Sequence, residues 1–138
     1  MLIDADALIV VDASVVVALL ADAGDLGDWA SAQVAGCRLV APDHLHVEVA
    51  NALRRLERHG RLSLGAATRA HTRALSMPLQ LASYVALSSR VWELRAVLSA
   101  YDAAYVALAE RLEVPLLTLD AAIANAPGLR CEVRTPES

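Results

Sequence analysis

One carboxylate interrupts the most apolar stretch of the chain. Residues 9–20 read IVVDASVVVALL, in which Asp12 and Ser14 are the only polar side chains. A carboxylate stripped of water and left unpaired costs several kcal/mol, so a buried chain segment rarely contains one without a reason. Residues 8–12 form a continuous, β-branched run, which is typical of a strand buried on both faces of a parallel sheet. We therefore expect a strand that ends at Asp12.

Length and hydropathy limit the class of protein. The 138 residues are enough to bury a core, and we predict a single domain over residues 1–138. Mean hydropathy is high at +0.44, but the longest apolar stretch, residues 7–21, is broken by Asp12 and Ser14. It is too short for a membrane span. Asp4 and Asp6 stand where a secretion signal needs basic residues. These features predict a cytoplasmic protein without membrane association.

The charged residues are unevenly distributed. The net charge is −4, which argues against a protein that binds nucleic acid through excess positive charge. All twelve basic residues are arginines, and six of them fall within one stretch of twenty residues: Arg54, Arg55, Arg58, Arg61, Arg69 and Arg73. This cluster indicates either a solvated helical face or an edge that contacts phosphates, to which the guanidinium group is suited. Two tryptophans and three tyrosines are too few for the stacking platform of an RNA-recognition or OB domain.

The two cysteines, Cys37 and Cys131, are far apart and have no metal-binding spacing. We expect both to be buried and reduced, although the sequence leaves a disulfide between them open.

Strand and helix signals alternate along the chain. Ser14, Asp43, Ser63 and Ser99 are suitable N-caps, and Gly60 is a suitable helix stop. The sequence predicts strands at 8–12, 37–42, 79–81, 114–120 and 130–134, and helices at 14–23, 26–35, 44–60, 63–76, 85–96 and 100–112. This alternation predicts an α/β fold with a parallel sheet between helical layers, in which functional residues lie at the carboxyl ends of strands.

Four carboxylates are candidates for one site. Asp12 and Asp120 each end a predicted strand, and they face one crevice if those strands are neighbours. Asp102 lies in the first turn of a predicted helix, where an acid ordinarily interacts with the helix dipole. Glu48 lies within another predicted helix, where it could simply be a residue of the polar face. Four such acids together would repel one another unless a cation is present. Oxygen donors suit Mg²⁺ or Mn²⁺, which can orient a phosphodiester and activate water.

Four segments of the chain, in a fixed order, form a recognisable pattern: VVDASVVVALL, HVEVANALRR, SAYDAAYVALAERLEVPLLTLD and APGLRC. In this pattern the chain resembles the PIN-domain ribonucleases, in particular the VapC-type toxins of bacterial toxin–antitoxin pairs. The resemblance implies a three-layer α/β/α PIN fold with four to five short strands. It also implies a catalytic quartet of acids, which would be Asp12, Glu48, Asp102 and Asp120. Asp12 and Asp102 would be the principal metal ligands, and Ser14 and Thr118 would support them. The chain departs from the family pattern at Val97 and Ala122, where relatives often have asparagine and a basic residue.

The resemblance also implies an activity and partners. It implies a Mg²⁺-dependent endoribonuclease, with Mn²⁺ as a substitute, that cleaves tRNA or other structured RNA to 5′-phosphate and 3′-hydroxyl ends. Such an enzyme would be a toxin that inhibits translation and growth. A VapB-type antitoxin would cover the acidic site with its C-terminal segment, and an arginine of that segment would pair with the acids. A homodimer is expected, and the apolar faces of helices within residues 45–76 are the predicted sites of antitoxin and dimer contacts.

Other functions remain open at this stage. A non-catalytic binding or regulatory module with the same fold is the main alternative. His44 and Glu48 lie one helical turn apart and could share a transition metal, whereas His44 and His46 diverge. An aspartyl phosphotransferase would need an acid where the chain has Ser14, and a receiver domain would need a lysine, which the chain lacks.

Overall fold

The computed structural model describes residues 7–137, so Asp4 and Asp6 lie outside the described residues. In chain order the elements are β1 (Leu8–Val11), α1 (Ala13–Ala21), α2 (Asp25–Val34), β2 (Arg38–Pro42), α3 (Leu45–Arg58), α4 (Leu64–Ser76), β3 (Leu79–Ala82), α5 (Tyr84–Glu93), α6 (Ala100–Leu112), β4 (Leu116–Leu117), α7 (Ala121–Ala124) and β5 (Val133–Arg134). None of the helices within residues 7–137 combines the length and apolar character that a membrane span requires.

The five strands form one sheet in the order β3-β2-β1-β4-β5, and every neighbouring pair is parallel. β1 lies at the centre, where Val10 pairs with Leu116 and Val11 with Leu117 of β4. The strand order reverses between β1 and β4, and such a switch point leaves a crevice outside the carboxyl ends of the two strands. The expected neighbourhood of the two Asp-bearing strands is therefore confirmed.

Helices cover the sheet in two groups. The connections from β1 to β3 and from β3 back to β4 cross the sheet in opposite directions, so right-handed crossovers place their helices on opposite faces. The packing agrees, because α1 contacts α2, α3 and α4, whereas α6 contacts β1, β2 and β4 and carries α5. Residues 103–109 of α6 are all buried, and its alanines allow close approach to the sheet. The predicted α/β fold with four to five short parallel strands is confirmed.

Two predicted helix caps are wrong. α1 is capped by Asp12, whose carboxylate accepts a hydrogen bond from the Val15 amide, and Ser14 lies inside the helix. α3 is preceded by His44, which makes no side-chain cap, so Asp43 does not have the predicted role. In contrast, the Ser63 and Ser99 hydroxyls cap α4 and α6 as predicted.

The last third of the chain differs in detail from the prediction. β4 comprises only Leu116–Leu117, because the chain turns away after Thr118 into the single turn of α7, which the sequence did not indicate. A four-residue helix is too short to show a hydrophobic period. Cys37 and Cys131 are free thiols, as expected, but they are only partly buried. Burial raises the pKa of the Cys131 thiol to about 11.

Candidate functional site

All four acids of the predicted quartet line one cavity at the carboxyl edge of the sheet. The cavity has a volume of about 210 Å³, and we call it the acidic cavity. It is lined by Asp12, Ala13, Ser14, Glu48, Asn51, Ala52, Arg55, Asp102, Tyr105 and Asp120. These residues come from the junction of β1 and α1, from α3, from α6 and from the turn after β4.

Asp12 is the most deeply placed acid, with only 6% of its surface exposed. Its Oδ1 accepts hydrogen bonds from the Ser14 hydroxyl at 2.5 Å and from the Val15 amide at 3.1 Å, and its Oδ2 accepts one from the Thr118 hydroxyl. Burial raises the pKa of Asp12 to about 6, although these three hydrogen bonds favour the ionised form. These three donors are all uncharged, so they stabilise the ionised carboxylate less than a positively charged group would.

The two hydroxyls also join the ends of β1 and β4. Ser14 Oγ accepts a hydrogen bond from the Leu119 amide at 3.0 Å, and Thr118 Oγ1 accepts one from the Asp120 amide at 2.9 Å. The structure therefore places Ser14 and Thr118 against Asp12, where the family resemblance expects supporting residues. Through these hydrogen bonds the two hydroxyls connect the residues that follow β1 with those that follow β4.

Asp102 interacts electrostatically with each of the other three acids. Its amide donates to Ser99 Oγ at 3.2 Å, which places it in the first turn of α6. Burial raises the pKa of Asp102, and the nearby charges of Asp120 and Glu48 raise it further. The charge of Asp102 in turn contributes to the raised pKa of Asp12. Mutual repulsion of this kind is relieved by a bound cation.

Asp120 begins α7, and its Oδ1 accepts a hydrogen bond from the Ala122 amide at 2.9 Å. This cap fixes the carboxylate at the rim of the acidic cavity. The chain leaves the sheet after β4, and α7 begins directly afterwards. Asp120, as the N-cap of α7, therefore lies at the carboxyl edge of the sheet.

Glu48 is oriented by two aromatic side chains. The Tyr105 hydroxyl donates to Glu48 Oε1 at 2.6 Å, and His44 Nε2 lies 3.2 Å from the same oxygen. Burial alone would raise the pKa of Glu48, but the contact with His44 and the hydrogen bond from Tyr105 outweigh it, so the pKa is lowered. The contact with Glu48 likewise raises the pKa of His44. Glu48 therefore stays ionised to a lower pH than an ordinary glutamate does.

Sequence reasoning missed the contact of Tyr105 with Glu48. A signal was present, because Tyr105 follows Asp102 by three positions and therefore lies on the same face of α6. His44 Nε2 and Glu48 Oε1 lie 3.2 Å apart, so the predicted one-turn proximity is present, and a metal shared by the two side chains stays a prediction.

Arg55 brings a positive charge to the acidic cavity. Its charge helps to lower the pKa of Glu48. Of the two explanations left open for the arginine cluster, the position of Arg55 favours a phosphate-contacting edge for this member.

The donor set fits a hard divalent cation. Within residues 7–137, no three acidic, histidine or cysteine side chains converge closely enough to enclose a metal ion by themselves. Mg²⁺ does not require such a cage, because it usually takes one or two carboxylates and retains several waters. A cavity of about 210 Å³ lined by four carboxylates has room for an ion with part of its hydration shell.

Comparison of the sequence with known protein families and proteins gives consistent matches. The family described as PIN domain matches residues 9–129. The chain is 38% identical to VapC ribonuclease Mb0985 of Mycobacterium bovis over 126 residues, which cover 91% of this chain and 96% of that protein.

Solved structures show the same fold. Mycobacterium tuberculosis VapC20, described as a toxin that cleaves the sarcin-ricin loop, superposes with a TM-score of 0.65 at 20% identity, covering 88% of this chain and 96% of its own. A chain of VapBC2 from Rickettsia felis, solved with a promoter DNA fragment, superposes with a TM-score of 0.63 at 10% identity, covering 91% and 98%. At these identities the likeness concerns the fold.

Proposed function

Because the chain belongs to the PIN-domain family, we propose that it is a metal-dependent endoribonuclease and the toxin of a toxin–antitoxin pair. The observation that carries the proposal is the convergence of Asp12, Glu48, Asp102 and Asp120 in one cavity at the switch point of the sheet. The similarity to a named VapC ribonuclease along nearly the whole chain supports it.

Asp12 and Asp102 are the proposed ligands of Mg²⁺ or Mn²⁺, and Glu48 and Asp120 complete the site directly or through water. When bound, the cation supplies a more acidic water molecule and neutralises charge on the phosphate. The chain contributes the orientation: the Ser14 and Thr118 hydroxyls hold the Asp12 carboxylate in place, and Tyr105 and His44 hold Glu48 towards the cavity.

We assign proton transfer to Glu48 and the binding of phosphate charge to Arg55. Glu48 is ionised at neutral pH and lines the acidic cavity, so its carboxylate can accept the proton of an attacking water. Arg55 lines the same cavity, where its guanidinium can bind a non-bridging oxygen of the scissile phosphate. An in-line attack on that phosphate breaks the bond to the 3′ oxygen and leaves 5′-phosphate and 3′-hydroxyl ends.

The proposed partners follow from the same surface. A VapB-type antitoxin would insert an arginine into the acidic cavity and so replace the cation. Exposed apolar side chains of α3 and α4, among them Val47, Leu64 and Leu75, are the proposed contacts for the antitoxin and for a homodimer. The proposed substrate is tRNA or another structured RNA, and cleavage of that RNA would inhibit translation and growth.

Light scattering of the pure protein tests the proposed homodimer by measuring its molar mass in solution.

Cleavage of RNA by the purified protein tests the proposed activity. We expect wild-type protein to cleave total RNA at discrete positions with Mg²⁺ or Mn²⁺, and to lose this activity in EDTA. Asp12→Asn removes a proposed ligand and should abolish cleavage while the circular dichroism spectrum stays unchanged. Asp28→Asn is the matched control, because Asp28 is an exposed acid in the first turn of α2.

Two outcomes would overturn the assignment. Cleavage by Asp12→Asn at the wild-type rate would show that the acidic cavity is not the active site. Absence of cleavage by folded wild-type protein with either metal would instead favour the non-catalytic binding module.

A further inference from the structure

A second cavity adjoins the acidic cavity along α3. It has a volume of about 550 Å³ and is lined by Val47, Glu48, Ala50, Asn51, Arg54 and Tyr101. Glu48 and Asn51 line both cavities, so the two form one continuous depression. A polymer that places one phosphate at the four acids can therefore extend along α3 into this second cavity.

Tyr101 forms a wall of the second cavity. The residue is 62% exposed, so its ring is accessible from solvent. The imidazole of His44 packs edge-on against it, with ring centroids 5.6 Å apart and an interplanar angle of 70°. Because His44 also contacts Glu48, this packing sets the ring in a defined position relative to the acidic cavity. The ring is thus held in place and still accessible.

The remaining lining residues have complementary chemistry. Val47 and Ala50 provide an apolar surface, and the Asn51 amide can both donate and accept hydrogen bonds. Within residues 7–137, Arg54 has no carboxylate within salt-bridge distance, so its guanidinium is free to bind an anion. A flat aromatic ring, an amide and an unpaired guanidinium match the base and phosphate of one nucleotide.

Adjacent arginines serve the two cavities separately. Successive residues of a helix point in different directions, and accordingly Arg54 lines the second cavity while Arg55 lines the acidic cavity. Two phosphates that are neighbours along a nucleic-acid strand could thus each meet one guanidinium. This arrangement offsets the repulsion that four carboxylates exert on a polyanion.

We propose that the second cavity is a nucleotide subsite for a single-stranded segment of the RNA substrate. The base next to the scissile phosphate stacks on Tyr101, its edge faces Asn51, and the adjoining phosphate binds Arg54. The composition argues against a sheet-borne platform of several aromatic residues, but a single helical ring beside the active site needs only one tyrosine. The subsite rests on the proposed ribonuclease activity and specifies how that activity selects its RNA.

Steady-state kinetics test the subsite on a short fluorescent RNA that spans a cleavage site mapped in total RNA. Loss of one base–aromatic stack weakens binding roughly 5- to 150-fold, so we expect Tyr101→Ala to raise KM within this range and to leave kcat within a factor of about three. Tyr101→Phe should retain the wild-type KM, because the ring is preserved. Arg54→Gln should also raise KM.

Matched controls lie outside both cavities. Tyr84→Ala removes another exposed tyrosine, and Arg38→Gln removes an exposed arginine at the opposite end of the sheet. Both should leave KM and kcat unchanged, which would separate the subsite from general effects of aromatic and positive surface residues.

An abasic substrate identifies the group that Tyr101 binds. Removing the base next to the scissile phosphate should raise KM for wild-type protein as much as Tyr101→Ala does, and should add little when combined with that variant. Equal effects of base removal on wild type and Tyr101→Ala would overturn the proposal, as would an unchanged KM or a loss confined to kcat.

The outcomes also separate the two proposals. Metal-dependent cleavage that is insensitive to Tyr101→Ala would overturn the subsite alone and leave an antitoxin peptide as the better occupant of the cavity. Absence of any cleavage by the wild type would overturn the subsite together with the ribonuclease function.

Discussion

Thr118 is the side chain on which two acids of the cavity depend. It is fully buried, donates its hydroxyl proton to Asp12, and accepts a hydrogen bond from the Asp120 amide. A hydroxyl is the one small group that can do both, because it is a donor and an acceptor at the same atom. The residue therefore couples the deepest acid to the acid at the rim.

Thr118→Val keeps the shape of the side chain and removes both hydrogen bonds. It leaves the Asp12 carboxylate with one donor fewer and the Asp120 amide unpaired. We expect the free energy of unfolding at pH 7 to fall by about 2 kcal/mol, measured by urea denaturation in EDTA. Thr118→Ser retains the hydroxyl and should recover most of that loss. A valine variant as stable as the wild type would contradict this account.

At the scale of single residues, the sequence located the acids better than their surroundings. Asp12 and Asp120 could be predicted because each follows an apolar run that reads as a strand. Spacing alone places Tyr105 beside Asp102 on α6. The contact of Tyr105 with Glu48 and the position of Arg55 could not be predicted, because they depend on how α3 and α6 cross above the sheet. That crossing is set by packing of many side chains, none of which is informative alone.

At the scale of elements, periodic signals were reliable and end signals were not. The helices α4 and α6 begin where Ser63 and Ser99 predict them, because nothing competes for those hydroxyls. At α1 the same reasoning fails, since Ser14 Oγ binds Asp12 and the Leu119 amide instead. A functional site therefore accounts for the wrong cap: the residue that looked like a cap is used to join two strands.

The junction of α1 and α2 depends on a glycine. Gly27 is buried, and a Cβ added to it would overlap the carbonyl oxygen of Asp22, which cannot move without shifting the backbone. We expect Gly27→Ala to lower the free energy of unfolding by about 2 kcal/mol in thermal or urea denaturation.

Gly65→Ala is the matched control for this prediction. Gly65 lies in the first turn of α4, where an added Cβ would meet only the flexible end of Arg69, at 3.2 Å. The same change should there raise the free energy of unfolding by roughly 0.5 kcal/mol, because alanine favours a helix over glycine. Equal effects at the two glycines would rule out close approach of α1 and α2 as the cause.

At the scale of the whole molecule, one ion pair ties distant parts of the chain together. Arg90 of α5 donates to both carboxylate oxygens of Glu110 in α6, at 2.7 Å and 3.2 Å, and to the Gly128 carbonyl at 2.9 Å. The Arg130 amide completes the group by donating to Glu110 at 2.7 Å. The Glu110 side chain is only 9% exposed, so this pair is sheltered from solvent.

The Arg90–Glu110 pair makes stability depend on pH. Burial alone would raise the pKa of Glu110, but the hydrogen bond from Arg90 outweighs it, so the pKa is lowered in the folded protein. A lowered pKa means that the folded state binds fewer protons, and its stabilisation is present above the unfolded pKa. We expect Glu110→Gln to lower the free energy of unfolding by about 2 kcal/mol at pH 7. The difference from wild type should shrink as the pH falls below about 4.5, the ordinary pKa of a glutamate.

Glu93→Gln provides the comparison. Glu93 lies 3.8 Å from the same arginine but is 58% exposed, so its removal should cost less than about 0.5 kcal/mol at any pH. A pH-independent difference between wild type and Glu110→Gln would show that the ion pair is not responsible for the loss.

The hydrogen bonds that close the acidic cavity have a consequence for the newly synthesised chain. Ser14 and Leu119 are 105 positions apart, and Asp12 and Thr118 are 106 apart. A ribosome makes β1 first, and the strand that must lie beside it emerges only after both helical layers have been translated. Until Asp120 has left the exit tunnel, the nascent polypeptide holds its acids on separate segments. The proposed ribonuclease site therefore cannot assemble until the carboxyl-terminal part of the chain has emerged.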